Sequence, residues 1–100
     1  MFEMLVALNV CNKELYEQYT KEISSLLQEH QGSFSYDVWV EKDELENQSA
    51  HKNINRIFTL RFETKKLKEA FFNHPNYTSI KARYFDKAVN SSYIISTYHI

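Results

Sequence analysis

Apolar and polar positions alternate with a period of two over four stretches of the chain and with helical spacing over the segments between them. These are the repeats of strands and helices. Phe2 to Val10 is apolar on both alternating faces, with Phe2, Met4, Val6, Leu8 and Val10 on one and Leu5 and Ala7 on the other. A central strand covered on both sides reads this way. Asn12 is a good N-cap for the helix that follows. Its apolar stripe is Leu15, Tyr19, Ile23, Leu26 and Leu27, with Glu14, Glu17, Gln18, Lys21 and Glu22 on the wet side. Gly32 sits just past the end of this helix, where a left-handed C-cap is expected.

Ser33 to Glu41 alternates again: Phe34, Tyr36, Val38 and Val40 share one face, and Ser35, Asp37 and Trp39 share the other. Lys42 to Asn53 is polar and charged, and is read as the connection between two antiparallel strands. Asn55 to Phe62 is the next strand, with Arg56, Phe58, Leu60 and Phe62 on a core face and Ile57, Thr59 and Arg61 on a mixed one. Thr64 caps a helix whose buried stripe is Leu67, Ala70 and Phe71. Pro75 stops that helix and pushes His74 out of helical geometry. Asn76 is expected to cap a further helix striped by Tyr77, Ile80, Tyr84 and Ala88. Asn90 to Ser92 reads as a loop, and Tyr93 to Ile100 as the last strand.

The order strand, helix, strand, strand, broken helix, strand defines an α+β fold, the ferredoxin-like βαββαβ pattern of an antiparallel sheet with helices on one face. The other face would carry Leu5, Ala7, Trp39, Ile57 and residues of the last strand. Left open, they would form a large apolar patch, which soluble monomers rarely expose. A second copy of the chain is the simplest cover, so a homodimer through the helix-free sheet face is expected.

One hundred residues make one domain, 1–100, and 43% hydrophobic content is enough to build a core. A formal charge of −1 removes the strong field of a nucleic-acid binder. The single cysteine, Cys11, excludes an internal disulfide and a Cys-based zinc site. The N-terminus lacks a basic start and a cleavage site, and no stretch is long enough to span a bilayer, so a cytoplasmic protein without membrane contact is expected. With one glycine there is no glycine-rich phosphate loop, and no nucleotide fingerprint is present.

The run from Asn55 to Ala88, preceded by Leu26 to Val40, resembles the small dimeric α+β-barrel domains of domain-of-unknown-function family 1330. The matching positions are Arg56 opening a strand that ends in Phe62, then Phe71 and Phe72 near the end of a helix, then Pro75, Tyr77 and Arg83. The chain departs from that pattern where the family has a glycine pair. It keeps only Gly32, with Gln31 in the other place, and Glu44 to Asn53 lacks the glycines usual there. The resemblance implies a ferredoxin-like protomer, a homodimer with a barrel-like core, and a cavity between sheet and helices. The family has no settled activity. It belongs with a wider group that includes cofactor-independent monooxygenases, small-molecule isomerases and lyases, and chlorite-dismutase-like haem proteins, among which the fold does not select.

Arg56, Tyr77 and Arg83 are the leading ligand-binding candidates. Arginine offers a planar fork of donors to a carboxylate or other oxyanion, and a tyrosine can donate its phenol or stack on a ring. The structural alternative is that these arginines pair with carboxylates such as Asp37, Glu63 or Asp86. Asp37, Trp39 and Arg61 fall on the mixed strand faces and could line a dimer cavity, with Trp39 as a wall and Asp37 as a base. An ion pair with a packed indole is the simpler account. His74, beside Tyr77, is a candidate general acid–base group, although a helix-terminating role before Pro75 accounts for it more simply. His30 ends a helix, His51 lies in the polar connection, and His99 lies on the last strand. None stands at metal-ligand spacing, so no metal site is expected. A lone histidine such as His74 is weak support for haem, and no cofactor is expected. Cys11 has no histidine or aspartate beside it to activate a thiol, and Lys65, Lys66 and Lys68 read as a solvated face.

The reading is therefore a small homodimeric domain that binds a small organic molecule, anionic or phenolic, in a cavity. Any catalysis would be cofactor-free acid–base or oxygen chemistry. The alternative is a non-catalytic dimerisation or regulatory module in which the same arginines only close ion pairs.

Overall fold

The computed structural model describes residues 1–41 and 53–100. The chain runs β1 (Phe2–Val10), α1 (Lys13–Glu29), β2 (Gly32–Trp39), β3 (Arg56–Phe62), α2 (Lys65–Asn73), α3 (Pro75–Ile80) and β4 (Val89–His99). A π-helical turn, Lys81–Phe85, and a short helical turn, Asp86–Ala88, join α3 to β4. The four strands form one sheet in the order β2-β3-β1-β4, with antiparallel neighbours throughout. Each strand–helix–strand unit therefore skips over one strand, which is the ferredoxin-like arrangement expected from the element order. No described helix is long and apolar enough to cross a membrane.

The core lies between the sheet and the helices. Phe2, Met4, Val6, Leu8 and Val10 of β1 and Phe58, Leu60 and Phe62 of β3 meet Tyr16, Tyr19, Ile23, Leu26 and Leu27 of α1 and Phe71 of α2. Tyr16 belongs to the α1 stripe, where the sequence pattern favoured Leu15, which is only partly buried. Ala70 is exposed rather than buried, so α2 holds the core chiefly through Phe71. The caps at Asn12 and Thr64 form as expected, each side chain accepting from the backbone N–H three residues on, at 3.1 Å.

Four further local expectations are corrected. Gln31, with φ 55°, is the left-handed residue after α1, and Gly32 is the first residue of β2. Glycine is needed at position 32 for space, because a Cβ there would lie 2.7 Å from both Leu27 Cδ1 and Phe62 Cε1. His74, not Asn76, caps α3: its Nδ1 accepts from the Asn76 N–H at 3.0 Å, and Pro75 takes the first helical position, where no N–H is required. The last strand begins at Val89, so Ser91 and Ser92 pair with Asn9 and Leu8 of β1 instead of looping, and Asn90 falls at a register shift between Ser91 and Val89. The fourth correction is a register shift between Phe34 and Tyr36 that reverses the facing of the rest of β2. Of the polar connection Lys42 to Asn53, residues 42–52 lie outside the described residues, and β2 and β3 on either side pair antiparallel.

The helix-free face carries Leu5, Ala7, Ile57 and Thr59 at its centre, with Tyr36, Val38 and Tyr93 exposed around them. It also holds a charged group. Glu3 accepts from Tyr98 Oη at 2.6 Å and from Arg61 Nε at 2.8 Å, so its two oxygens serve the two neighbouring strands. The Tyr98 and Arg61 hydrogen bonds hold the Glu3 carboxyl below its ordinary pKa of 4.5, against the desolvation that raises it. A carboxyl depressed in the folded state adds stability that is complete above 4.5 and disappears as pH falls through the folded value. Urea midpoints should therefore differ most between the wild type and Glu3→Gln at neutral pH, and the difference should shrink in acid. A difference that is flat with pH would show that the pair adds no net stability. Tyr98 shifts upward by donating to Glu3, so its contribution is present below 10 and is lost only as pH rises through the raised value.

Candidate functional site

The register shift in β2 builds the polar cluster on the helix side of the sheet. Phe34 stands opposite Leu60, but beyond the extra residue Tyr36 pairs with Thr59, Asp37 with Phe58, Val38 with Ile57 and Trp39 with Arg56. A one-residue bulge moves every later side chain to the other face. Asp37 and Trp39 thus join Arg56 beneath α1, while Tyr36 and Val38 move to the helix-free face. Arg61 stays on that second face with Glu3. The three residues read as sharing one face are split between two.

Arg56 is the hub of the cluster. Its Nε donates to Asp37 Oδ1 at 2.7 Å, and its guanidinium lies 4.2 Å from the centroid of the Trp39 indole and 5.2 Å from that of Tyr16. The Tyr16 hydroxyl donates to the same Asp37 oxygen at 2.9 Å. The Arg56 and Asp37 side chains are 13% and 20% exposed, so the ion pair is largely desolvated. Lys13, from the first turn of α1, stands 5.0 Å from the Trp39 ring centroid.

One turn further along α1, Tyr19 reaches α3. Its hydroxyl lies 3.0 Å from that of Tyr77, and Phe85 packs on its ring at 5.0 Å between centroids. Tyr77 in turn packs on Phe71 at 4.9 Å and on Phe72 at 5.0 Å. Burial pushes the pKa values of Tyr16, Tyr19 and Tyr77 upward, and the Asp37 charge adds to the rise at Tyr16. All three are phenols at neutral pH. They are O–H donors in an aromatic interior, with one ion pair at its edge.

The remaining candidates lie elsewhere. Arg83 is exposed on the π-helical turn, its guanidinium 5.6 Å from the Tyr84 ring centroid. His74 caps α3 and meets the His30 ring edge-on at 5.7 Å. His30 Nδ1 is 2.8 Å from the Leu26 carbonyl, and His99 packs on Phe2 at 5.4 Å. His51 is outside the described residues. The Cys11 thiol donates to the Ala88 carbonyl at 3.3 Å. Lys65 and Lys66 are exposed, whereas Lys68 lies over the Phe2 ring at 5.7 Å. Among the described residues, no three His, Cys, Asp or Glu side chains group so as to hold a metal ion. Sequence reasoning missed Tyr16, the link between α1 and Asp37. Its spacing of three residues to Tyr19 and seven to Ile23 was the signal that could have found it.

Fold and site together define a four-stranded ferredoxin-like α+β protein with a tyrosine-rich cluster under its first helix. No protein-family model matches the chain, and no curated protein sequence matches it. Solved structures do match. A protein of Arabidopsis thaliana is similar with a TM-score of 0.68 at 18% identity, over 100% of this chain and 95% of that one. A dimeric ferredoxin-like protein of unknown function from Jannaschia aligns with a TM-score of 0.65 at 13% identity, over 99% and 98%. A proposed antibiotic biosynthesis monooxygenase from Nitrosomonas europaea aligns with a TM-score of 0.58 at 11% identity, over 100% and 98%. Identities this low establish the shared fold and nothing about chemistry.

Proposed function

We propose that the chain is a homodimer, closed through the helix-free sheet face, that binds a small anionic or phenolic organic molecule between its sheet and helices. The observation that carries the ligand reading is the gathering of Tyr16, Tyr19, Asp37, Arg56 and Tyr77 in one otherwise aromatic interior. A few convergent donors among apolar walls are what orients a small ligand. Arg56 and Tyr77 are the donors and Trp39 is a wall, whereas Arg83 is exposed on the π-helical turn, outside this cluster. Catalysis would be cofactor-free acid–base or oxygen chemistry, with Tyr77, His74 or Asp37 as proton carriers. The resemblance to family 1330, which implies a cavity between sheet and helices, supports the ligand reading. The exposed Tyr36, Val38 and Tyr93 on the helix-free face, and a dimeric structural neighbour, support the dimer. Arg61 belongs to that dimer face rather than to the ligand site.

A second reading has its own observation. Among the described residues every buried polar side-chain atom has a partner, and Arg56 is already matched by Asp37. That favours a dimerisation or regulatory module without a ligand. Native mass spectrometry of the protein as purified from cells separates the readings. The expected result is a dimer that carries a small added mass, which Arg56→Gln and Tyr77→Phe reduce. A monomer would overturn the dimer. A clean dimer that no phenol or carboxylate stabilises in a thermal-shift screen would leave the module.

A further inference from the structure

Four oxidisable rings form an unbroken line from the surface to the interior. Trp39, the only tryptophan, is 41% exposed. Its indole centroid is 6.3 Å from that of Tyr16, Tyr16 is 6.1 Å from Tyr19, and Tyr19 is 6.4 Å from Tyr77. The three tyrosines are buried. Rings at this spacing are in near-contact, and an electron vacancy can hop between them.

Hopping through tyrosine needs somewhere for the phenolic proton to go, because a phenol that loses an electron becomes a strong acid. Tyr16 alone in the line has a carboxylate in place, with Asp37 Oδ1 2.9 Å from its oxygen. Among the described residues Tyr19 and Tyr77 bond only to each other's hydroxyls, and a neutral phenol is a poor proton acceptor.

We infer that Trp39 and Tyr16 form a proton-coupled electron-transfer relay, with Trp39 as the exchange point for a one-electron oxidant in solution and Tyr16–Asp37 as the station where the vacancy rests. The oxidant takes one electron from Trp39 and is itself reduced. The Trp39 radical cation takes an electron from Tyr16. The Tyr16 O–H bond breaks, its proton passes to Asp37, and a neutral tyrosyl radical remains beside a protonated carboxyl. This relay is independent of whether a ligand binds, since it needs only the side chains named.

The test is flash-quench oxidation with photogenerated tris(bipyridine)ruthenium(III), followed by transient absorption. Tyr36 and Tyr93 are exposed and would react directly, so the experiment uses a Tyr36→Phe/Tyr93→Phe background. Because Trp39 is the only tryptophan, any indole radical signal is its own. The expected result is an indole radical that decays as a tyrosyl signal grows, with the transfer slowed in D2O. Tyr16→Phe should lengthen the indole lifetime severalfold and remove the coupled tyrosyl growth. Asp37→Asn, which keeps the phenol, should slow the same step. An indole lifetime unchanged in Tyr16→Phe, or a transfer in the background protein that shows no solvent isotope effect, overturns the relay. The isotope measurement needs no substitution at Trp39, Tyr16 or Asp37.

Discussion

Phe71→Ala should cost about 4 kcal/mol of unfolding free energy, near the middle of the range for large-to-small core changes. Phe71 is fully buried and forms the joint between the two halves of the helical layer. Its ring meets Phe62 of β3 at 5.6 Å, Phe72 at 5.0 Å, Tyr77 of α3 at 4.9 Å and His30 at the end of α1 at 5.9 Å. Four partners on four elements cannot close together over the void without moving backbone, so little of the cavity would be recovered. For a chain of this size the loss corresponds to a Tm lower by on the order of 20 °C. Thermal and urea unfolding followed by circular dichroism measure it. A loss near 1 kcal/mol, of the order of an average substitution, would mean that the α2–α3 joint repacks freely.

Asp37→Ala should be the next most damaging change, at about 2 to 3 kcal/mol. Removing one member of a buried ion pair costs roughly 3–5 kcal/mol, and the remaining exposure of this pair lets water recover part of that. The loss arises chiefly because Arg56 is left charged beneath α1 and Tyr16 is left without an acceptor. The double variant Asp37→Ala/Arg56→Leu should therefore be more stable than Asp37→Ala alone, since the uncompensated cation is gone. Urea unfolding of the single and double variants reads this directly. A double variant less stable than Asp37→Ala would mean that Arg56 holds the cluster by packing on Trp39 and Tyr16 rather than by its charge.

Both expectations rest on placements of unequal legibility. The aromatic pair Phe71 and Phe72, the stop at Pro75 and the stripe through Tyr77 and Ile80 are all local patterns, and the structure has them as read. The Arg56–Asp37 pair was open in the sequence as one of several carboxylate partners. What hid its setting was the bulge after Phe34. Strict alternation placed Asp37 with Arg61 and away from Arg56, and one inserted residue reversed that. Nothing about Ser35 marks it as the site of a shift, because a bulge answers the geometry of the neighbouring strand rather than a preference of its own residue. The Tyr19–Tyr77 contact was equally hidden. It joins residues 58 positions apart, and each reads locally as an ordinary member of an apolar stripe.

The sequence by itself determined the element order, the α+β class, the caps at Asn12 and Thr64 and the central place of β1. Each follows from short-range physics: the side-chain period, an N-cap oxygen facing free N–H groups, and a strand too apolar for a sheet edge. Only the tertiary structure decided which face Asp37 and Trp39 occupy, that Tyr16 reaches Asp37, and that Arg61 answers Glu3 across the opposite face. Those outcomes depend on register between strands distant in sequence. Register is set by packing the whole buried face at once, and no local stretch carries that information.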